Sequence, residues 1–212
     1  LYNERYGQPF FLALDSPSSE EVPLVSKRPF SPLPGMIVEV NRESLELGGV
    51  LGMPEDPGLD LQVIIRRYNL ATHFRKETLE EARSISSKVS PQDEQDRQDY
   101  RALKIVTIDG EDAQDFDDAV GLQKLPTGNF LLGVHIADVS HYVKPGTSLD
   151  QEAFERGTSV YFPRLTLPML PEKLSNDVCS LRPKEERLTF SVMLEIDKKG
   201  QVLKTAFHPS LI

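Results

Sequence analysis

The segment TIDGEDAQDFDDAV, residues 107–120, concentrates side chains that could do chemistry. Six of its fourteen residues are Asp or Glu, and none is Lys or Arg. Repulsion among like charges disfavours such a run in a packed interior. A divalent cation such as Mg²⁺ takes oxygen ligands, and carboxylates supply them. The segment therefore predicts either a solvated acidic loop or a site that holds a cation.

A solvated loop is the usual interpretation of a charge run, but three features of this one favour a cation. Phe116 lies inside the run, and Ile108 and Ala119 border it, so we expect the segment to be anchored on a core. The carboxylates at 109, 115, 117 and 118 fall at a strand end and on the returning strand, where they can converge. No basic residue within the run compensates their charge.

Two other acidic motifs do not fit the spacing. An EF-hand loop requires Gly at its sixth position, and Gln114 or Asp117 occupies that position in the two possible registers. An aspartyl-phosphate phosphatase has a strand running directly into Asp-x-Asp, whereas DAQ precedes Asp115. The remaining interpretation is a Mg²⁺ site that serves phosphate chemistry, in which the metal polarises phosphoryl oxygens and activates water.

Composition limits the class of protein. The 212 residues carry a net charge of −9 and are 39% apolar, so a core can form. The charge argues against a surface that coats nucleic acid, but not against an enzyme that acts on it. The sequence has no membrane-spanning run and no signal-peptide pattern. A single cysteine, Cys179, excludes an internal disulfide and suits a reducing compartment, so we expect a cytoplasmic protein.

The elements around the acidic run predict three regions. Residues 1–55 contain the short strands MIVEV and LGGVLG and are interpreted as part of a small β-barrel. Residues 56–103 are interpreted as a helical connector, with helices in LDLQVIIRRYNL and KETLEEARSISSKV and a solvated linker in SPQDEQDRQDYR. Thr78 and Glu81 have the spacing of a capping box, which predicts that Thr78 is the N-cap of the second helix.

Residues 104–212 are interpreted as an α+β domain. KIVTI is a predicted strand that leads into the acidic run, and AVGLQKL and NFLLGVHIAD predict a hairpin across PTG. SLDQEAFERG predicts a short helix, with Ser148 as its N-cap and Gly157 as its stop. RLTFSVMLEI alternates between apolar and polar residues and turns at DKKGQ into VLKTAF. His135 is interpreted as a structural, hydrogen-bonded residue, and Cys179 as a small buried one.

Three long motifs occur in order: TIDGEDAQDFDDAV, GVHIADVSHYV and SVYFPRLTLPMLPEKLSNDVCSLRP. Together they resemble the catalytic (RNB) domain of the ribonuclease II/ribonuclease R family. DPGLDLQVIIRRYNL is similar to the stretch that joins this domain to the family's second cold-shock-like domain, and the resemblance covers about residues 50–200. Residues 1–55 resemble part of that OB-fold, cold-shock-like module, and residues 104–212 the N-terminal part of the RNB domain.

The resemblance implies a Mg²⁺-dependent exoribonuclease that hydrolyses single-stranded RNA from its 3′ end to nucleoside 5′-monophosphates. Asp109, Asp115, Asp117 and Asp118 would hold Mg²⁺ and position the attacking water, and Tyr161 would stack on a base near the 3′ end. Family members continue into a second half of the catalytic domain, with an arginine and a further aromatic residue, and usually into an S1 domain. We therefore expect residues 1–212 alone not to degrade RNA processively.

Two alternatives stay open. The chain could be a non-catalytic RNA-binding or regulatory relative, although its four aspartates and Tyr161 are intact. It could also be an acidic structural domain that a metal stabilises without any nucleic acid, which leaves Tyr161 unexplained.

Overall fold

The structure is a computed structural model that describes residues 1–5, 8–14, 21–24 and 32–212. The described residues form two compact units, Leu1–Ala71 and Thr72–Ile212. The predicted β module includes residues 6–7, 15–20 and 25–31, which lie outside the described residues. The predicted boundaries after residues 55 and 103 stay predictions. No helix among the described residues is long and apolar enough to cross a membrane.

The first unit consists of two small antiparallel sheets and one helix. Strands β1 (Tyr2–Arg5), β2 (Gln8–Phe11) and β3 (Val22–Pro23) form one sheet, and β4 (Ile37–Val40) pairs with β5 (Leu47–Gly52) in the other. Tyr2, Leu24 and Leu47 form its small core. Helix α1 (Leu59–Arg67) follows, so the strands and the helix predicted in this region are confirmed.

A six-stranded sheet is the frame of the second unit, and its strands lie in the order β6-β13-β12-β9-β8-β7. All neighbours are antiparallel except β13 and β6. The strands are β6 (Gln98–Asp99), β7 (Ile105–Val106), β8 (Asp118–Lys124), β9 (Phe130–Ala137), β12 (Leu188–Ile196) and β13 (Val202–Leu211). The predicted β8–β9 hairpin turns at Gly128, whose φ of +84° favours glycine. The mixed α+β class, with small β sheets before a mainly antiparallel domain, is confirmed.

Four short helices and a second hairpin complete this unit. The helices are α2 (Lys76–Ser84), α3 (Val139–Tyr142), α4 (Ser148–Arg156) and a π-helical turn at Leu174–Val178. Strands β10 (Val160–Phe162) and β11 (Leu165–Leu167) form the hairpin. Side chains from α2, α4 and the π-helical turn pack with Ala119 and Ala137 of the sheet in one core.

The structure corrects three local predictions. Thr78 is not the N-cap of α2, because the helix begins two residues earlier and Thr78 is buried, with its hydroxyl 3.4 Å from the Ser148 carbonyl. Glu81 likewise accepts a hydrogen bond from the backbone of α4. The N-cap of α4 is Thr147 rather than Ser148, since the Thr147 side chain accepts from the Asp150 N–H. The segment predicted as a solvated linker is tied to the sheet through the buried Arg97.

The two faces of the six-stranded sheet are unlike each other. Along β9, β12 and β13 the residues that face the helical core include polar ones: His135, Thr189, Ser191 and Ser210 are fully buried. Their hydroxyls bond to one another, and Ser191 lies 2.6 Å from Nδ1 of His135, so the structural interpretation of His135 is confirmed. The opposite face carries exposed apolar side chains: Leu122, Ile136, Phe190, Val202 and Phe207. In β12, the polar Thr189 and Ser191 are thus buried, whereas Phe190 of the apolar alternation is exposed.

Candidate functional site

The acidic loop, defined as residues 107–117, connects the end of β7 to the start of β8, and Asp118 is the first residue of β8. The position agrees with the prediction that a strand delivers the acidic run, although β7 is only two residues long. At the last residue of the loop, the Asp117 carbonyl accepts a hydrogen bond from the Ala137 N–H at 2.9 Å. The end of the loop is therefore joined to the end of β9.

The loop is anchored through Phe116, as predicted, because this side chain packs against the core of the second unit. Ile108 does not anchor it: the residue is 84% exposed, which corrects the expectation that it borders a core. The short β7 ends before Ile108, so the backbone no longer turns this side chain into the sheet. Ala119 is buried on the sheet face beneath the helices, as expected.

The four predicted aspartates lie close enough to interact electrostatically. Asp109, Asp117 and Asp118 are exposed residues, and Asp115 is half-buried. Partial burial of the Asp117 carboxyl group, followed by the negative charges of Asp115, Asp118 and Asp109, raises its pKa above the ordinary range. Within the described part of the chain, none of the four forms an ion pair with Lys or Arg. Among the described residues, no basic side chain therefore compensates their negative charge.

These donors fit a hard divalent cation in chemistry, since carboxylates without basic partners are the oxygen ligands that Mg²⁺ prefers. Their arrangement is not closed around one point: among the described residues no three His, Cys, Asp or Glu side chains are grouped to hold a metal ion. The convergence of all four carboxylates on one cation therefore stays a prediction. Glu111 and Asp112, which the resemblance leaves out of the site, are exposed.

The raised pKa of Asp117 predicts a pH-dependent gain in stability from Asp117→Asn in the metal-free protein. Folding makes ionisation of this carboxyl less favourable, so its charge destabilises the folded state above the raised pKa. The cost disappears below the ordinary aspartate value of 3.8, where the group is protonated in both states. In EDTA, the variant should melt a few degrees higher than the unmodified protein at about pH 7 and equally at about pH 3.

Glu111→Gln is the matched control for this melting experiment, because Glu111 is an exposed carboxylate of the same loop. It should leave the melting temperature nearly unchanged at both pH values. A lower melting temperature for Asp117→Asn at neutral pH would contradict the electrostatic account of the acidic loop.

Tyr161 lies on β10 and contacts the acidic loop directly. Its hydroxyl donates a hydrogen bond to Oδ2 of Asp115 at 3.0 Å, and this bond and partial burial raise the pKa of the phenol. The residue is 65% exposed, so much of its ring is open to solvent. The structure thus brings the one predicted RNA-binding residue into contact with one of the four predicted metal ligands. The sequence motif did not predict this contact.

Sequence reasoning missed a buried ion pair behind the site. Arg97 and Asp138 approach to 2.6 Å, with side chains 9% and 11% exposed. Burial alone would raise the pKa of Asp138, but hydrogen bonds from Arg97 and Ser140 outweigh it and keep the pKa below the ordinary value. Asp138 follows β9 and caps α3 by accepting from the His141 N–H. Only its place in GVHIADVSHYV could have drawn attention to it.

The chain is similar in sequence and in fold to known proteins. The RNB domain family model matches residues 97–212. Ribonuclease R from Thermotoga maritima is 53% identical over 165 residues, which is 77% of this chain and 23% of that protein. A solved structure of Mycoplasma genitalium RNase R in complex with ribose-methylated single-stranded RNA covers 100% of this chain at a TM-score of 0.78 and 25% identity. The chain covers 35% of that structure.

The fold also occurs in a protein described as a pseudonuclease. Yeast Ssd1 covers 84% of this chain at a TM-score of 0.66 and 21% identity, and the chain covers 23% of it. This likeness concerns the fold alone. The chain thus spans less than half the length of each of these proteins, while the RNB model spans more than half of the chain. The chain belongs to the RNB domain family.

Proposed function

We propose that these residues form the metal-binding and RNA-end-binding part of a Mg²⁺-dependent exoribonuclease. The enzyme hydrolyses single-stranded RNA from its 3′ end and releases nucleoside 5′-monophosphates. One observation carries the proposal: Asp109, Asp115 and Asp118 act electrostatically on Asp117, while Tyr161 bonds to Asp115. All five residues fall on the RNB motifs.

The aspartates would hold the metal, because no basic side chain among the described residues compensates their negative charge. The carboxylates of Asp109, Asp115 and Asp118 each make ionisation of Asp117 less favourable, and a bound cation offsets this repulsion. When bound, Mg²⁺ polarises a phosphoryl oxygen and lowers the pKa of water. The protein's part is to keep four anionic oxygen donors at the junction of the acidic loop and β8.

Tyr161 would orient the RNA end at that junction. Its hydroxyl is tied to Asp115 at 3.0 Å, which fixes the phenol beside the carboxylates, and its exposed ring offers a π-face to a base. Every base has such a face, so stacking tolerates any sequence. This suits an enzyme that degrades RNA without sequence preference.

The second candidate is a non-catalytic RNA-binding relative, and the pseudonuclease fold gives it a specific basis. Because an active and an inactive protein can share this architecture, fold similarity does not separate the two functions. The side chains support the enzyme: the four aspartates of the motif are all present and lack basic partners in the described residues.

The proposal includes further parts and partners of the protein. Single-stranded RNA is the proposed substrate, and the cytoplasm is the proposed location. A downstream half of the catalytic domain, with an arginine and a second aromatic residue, would complete the active site, and an S1 domain would follow. Residues 1–212 alone would then hydrolyse RNA poorly, because the proposed downstream arginine would supply the cation that stabilises the charge developing at phosphorus.

A hydrolysis assay on the full-length protein tests this function. Single-stranded RNA labelled at its 5′ end is incubated with Mg²⁺ or with EDTA, and products are separated by length and by chromatography. We expect progressive shortening from the 3′ end, release of 5′-monophosphates and no reaction in EDTA. Internal cleavage, 3′-phosphate products or activity in EDTA would contradict the proposal.

Tyr161→Ala should weaken binding of an RNA 3′ end by about 1–3 kcal/mol, the usual range for stacking of a base on an aromatic ring. Tyr161→Phe should bind almost as the unmodified protein does, since it keeps the ring and loses only the bond to Asp115. Phe154→Ala, which removes an exposed aromatic side chain from α4, is the control for general loss of apolar surface. Fluorescence anisotropy in Ca²⁺, without turnover, measures the affinities. Equal losses for Ala and Phe at position 161 would exclude stacking.

A further inference from the structure

Ser180 is fully buried, and its hydroxyl bridges the two residues on either side of Asp115. The hydroxyl donates to the Gln114 carbonyl at 2.7 Å and accepts from the Phe116 N–H at 3.3 Å. One hydroxyl can do both, because it has one proton and free lone pairs. The Leu181 N–H then donates to the Phe116 carbonyl at 2.9 Å. Hydrogen bonds thus hold the acidic loop at the two residues that flank Asp115.

Ser180 is itself held in place from the opposite side. Its carbonyl accepts a hydrogen bond from Nε of Arg187 at 2.8 Å, and Arg187 is 3% exposed. The Ser180 N–H donates to the Asp177 carbonyl at 3.1 Å. Every polar group of Ser180 therefore has a partner, and the hydroxyl has little freedom to move. A hydroxyl that is held in place in this way restrains the loop backbone to which it is hydrogen-bonded.

The loop backbone is attached at two places, one at Asp115 and one at Asp117. Ser180 fixes the backbone around Asp115, while the Asp117 carbonyl is bonded to the Ala137 N–H at 2.9 Å. Between these two attachments the backbone that carries Asp115 and Asp117 has little freedom to move. Asp109, at the other end of the loop, has no such attachment to Ser180 among the described hydrogen bonds.

We infer that Ser180 is a positioning residue: its hydroxyl sets where Asp115 and Asp117 stand relative to a divalent cation. The inference rests on the proposed function, in which these carboxylates hold Mg²⁺. A hydroxyl one layer behind the ligands would act as other supporting partners of metal ligands do, by orienting the ligand without touching the metal. A purely structural role would instead satisfy buried backbone groups and contribute to stability alone.

Ser180→Ala and Ser210→Ala distinguish these roles. Both remove a fully buried, hydrogen-bonded hydroxyl from the same unit, but the described partners of the Ser210 hydroxyl lie on β12 rather than in the acidic loop. Binding of Mn²⁺ is measured by electron paramagnetic resonance on the folded, RNA-free protein, with Asp117→Asn as the variant that lacks a ligand. We expect Ser180→Ala to bind Mn²⁺ about 10- to 100-fold more weakly, and Ser210→Ala to bind it normally.

Amide hydrogen exchange without metal gives a second readout. Exchange at the Phe116 N–H should accelerate in Ser180→Ala and stay unchanged in Ser210→Ala. If Ser180→Ala does not fold, Ser180→Cys, which keeps a weak donor of similar size, is measured in the same way.

The measurements test the role of Ser180 and the proposed function separately. Unchanged exchange at Phe116, or equal Mn²⁺ affinities for the two alanine variants, overturns the role of Ser180. Absence of Mn²⁺ binding that depends on Asp117 in the otherwise unmodified protein contradicts the proposed function instead. In that case the exchange measurement still decides whether Ser180 positions the acidic loop.

Discussion

Replacing Asp117 by Asn should abolish RNA hydrolysis by the full-length protein while RNA binding stays almost unchanged. The substitution keeps the size of the side chain and removes its negative charge, which interacts with those of the other three carboxylates. Metal-assisted activation of water contributes several kcal/mol, so its loss corresponds to a rate lower by about a thousandfold or more. Affinity for RNA comes mainly from backbone contacts and stacking, which the substitution does not touch.

Single-turnover hydrolysis in Mg²⁺ and anisotropy with the same oligonucleotide measure the two quantities separately. Glu111→Gln is the control, because it removes an exposed charge of the same loop that the RNB motif does not use. It should keep its activity. Substantial cleavage by Asp117→Asn would show that the reaction does not depend on this carboxylate, and the assignment of the site would fail.

Replacing Arg97 by Ala should cause the largest loss of stability, about 3–5 kcal/mol, because it leaves Asp138 buried without its partner. The side chain of Asp138 is only 11% exposed, and Arg97 also donates to the carbonyls of Thr189 and Ser210. The substitution would therefore free one charge and two backbone acceptors. Urea denaturation followed by circular dichroism gives the difference in the free energy of unfolding.

Arg101→Ala is the matched control for Arg97→Ala. Arg101 also bonds to several acidic partners, Asp99 and Glu186 among them, but its side chain is 36% exposed. Solvent screens such pairs, so the loss of stability should be much smaller than for Arg97→Ala. Equal losses for the two variants would contradict the importance of burial for the Arg97–Asp138 pair.

Local patterns were sufficient to predict where the acidic loop lies. The β8–β9 hairpin follows from alternation and a glycine turn, and β9 leads back beside Asp118. The positions of the four aspartates at one strand junction therefore follow from short-range rules. The long motifs added the chemistry, since charge spacing alone left a solvated loop and several kinds of metal site possible.

Contacts between residues far apart in sequence explain what was missed. Thr78 and Glu81 have the spacing of a capping box, yet their side chains bond to the backbone of α4, about 70 residues away. Arg97 stands in a polar run that reads as a linker, and its partner Asp138 is 41 residues distant. Local propensity carries no information on such partners.

Which face of the sheet is exposed also depends on contacts between residues far apart in sequence. The alternation of β12 predicts two unlike faces but does not say which one the helices cover. On the buried face the packing leaves no room for a larger residue at Gly133, where a Cβ would come within 2.7 Å of Nε2 of His135. Phe190 and Phe207 lie on the opposite, exposed face. Which face is buried is decided by packing across strands, not by the hydrophobicity of one strand.

The central claim is that Asp109, Asp115, Asp117 and Asp118 together hold a divalent cation. Anomalous diffraction from crystals of the protein grown with Mn²⁺ tests it most directly, since the signal locates the metal without reference to activity. We expect an anomalous peak at the junction of the acidic loop and β8, with carboxylate oxygens of these aspartates at bonding distance. No peak there at saturating Mn²⁺, or a peak held only by other residues, would contradict the claim.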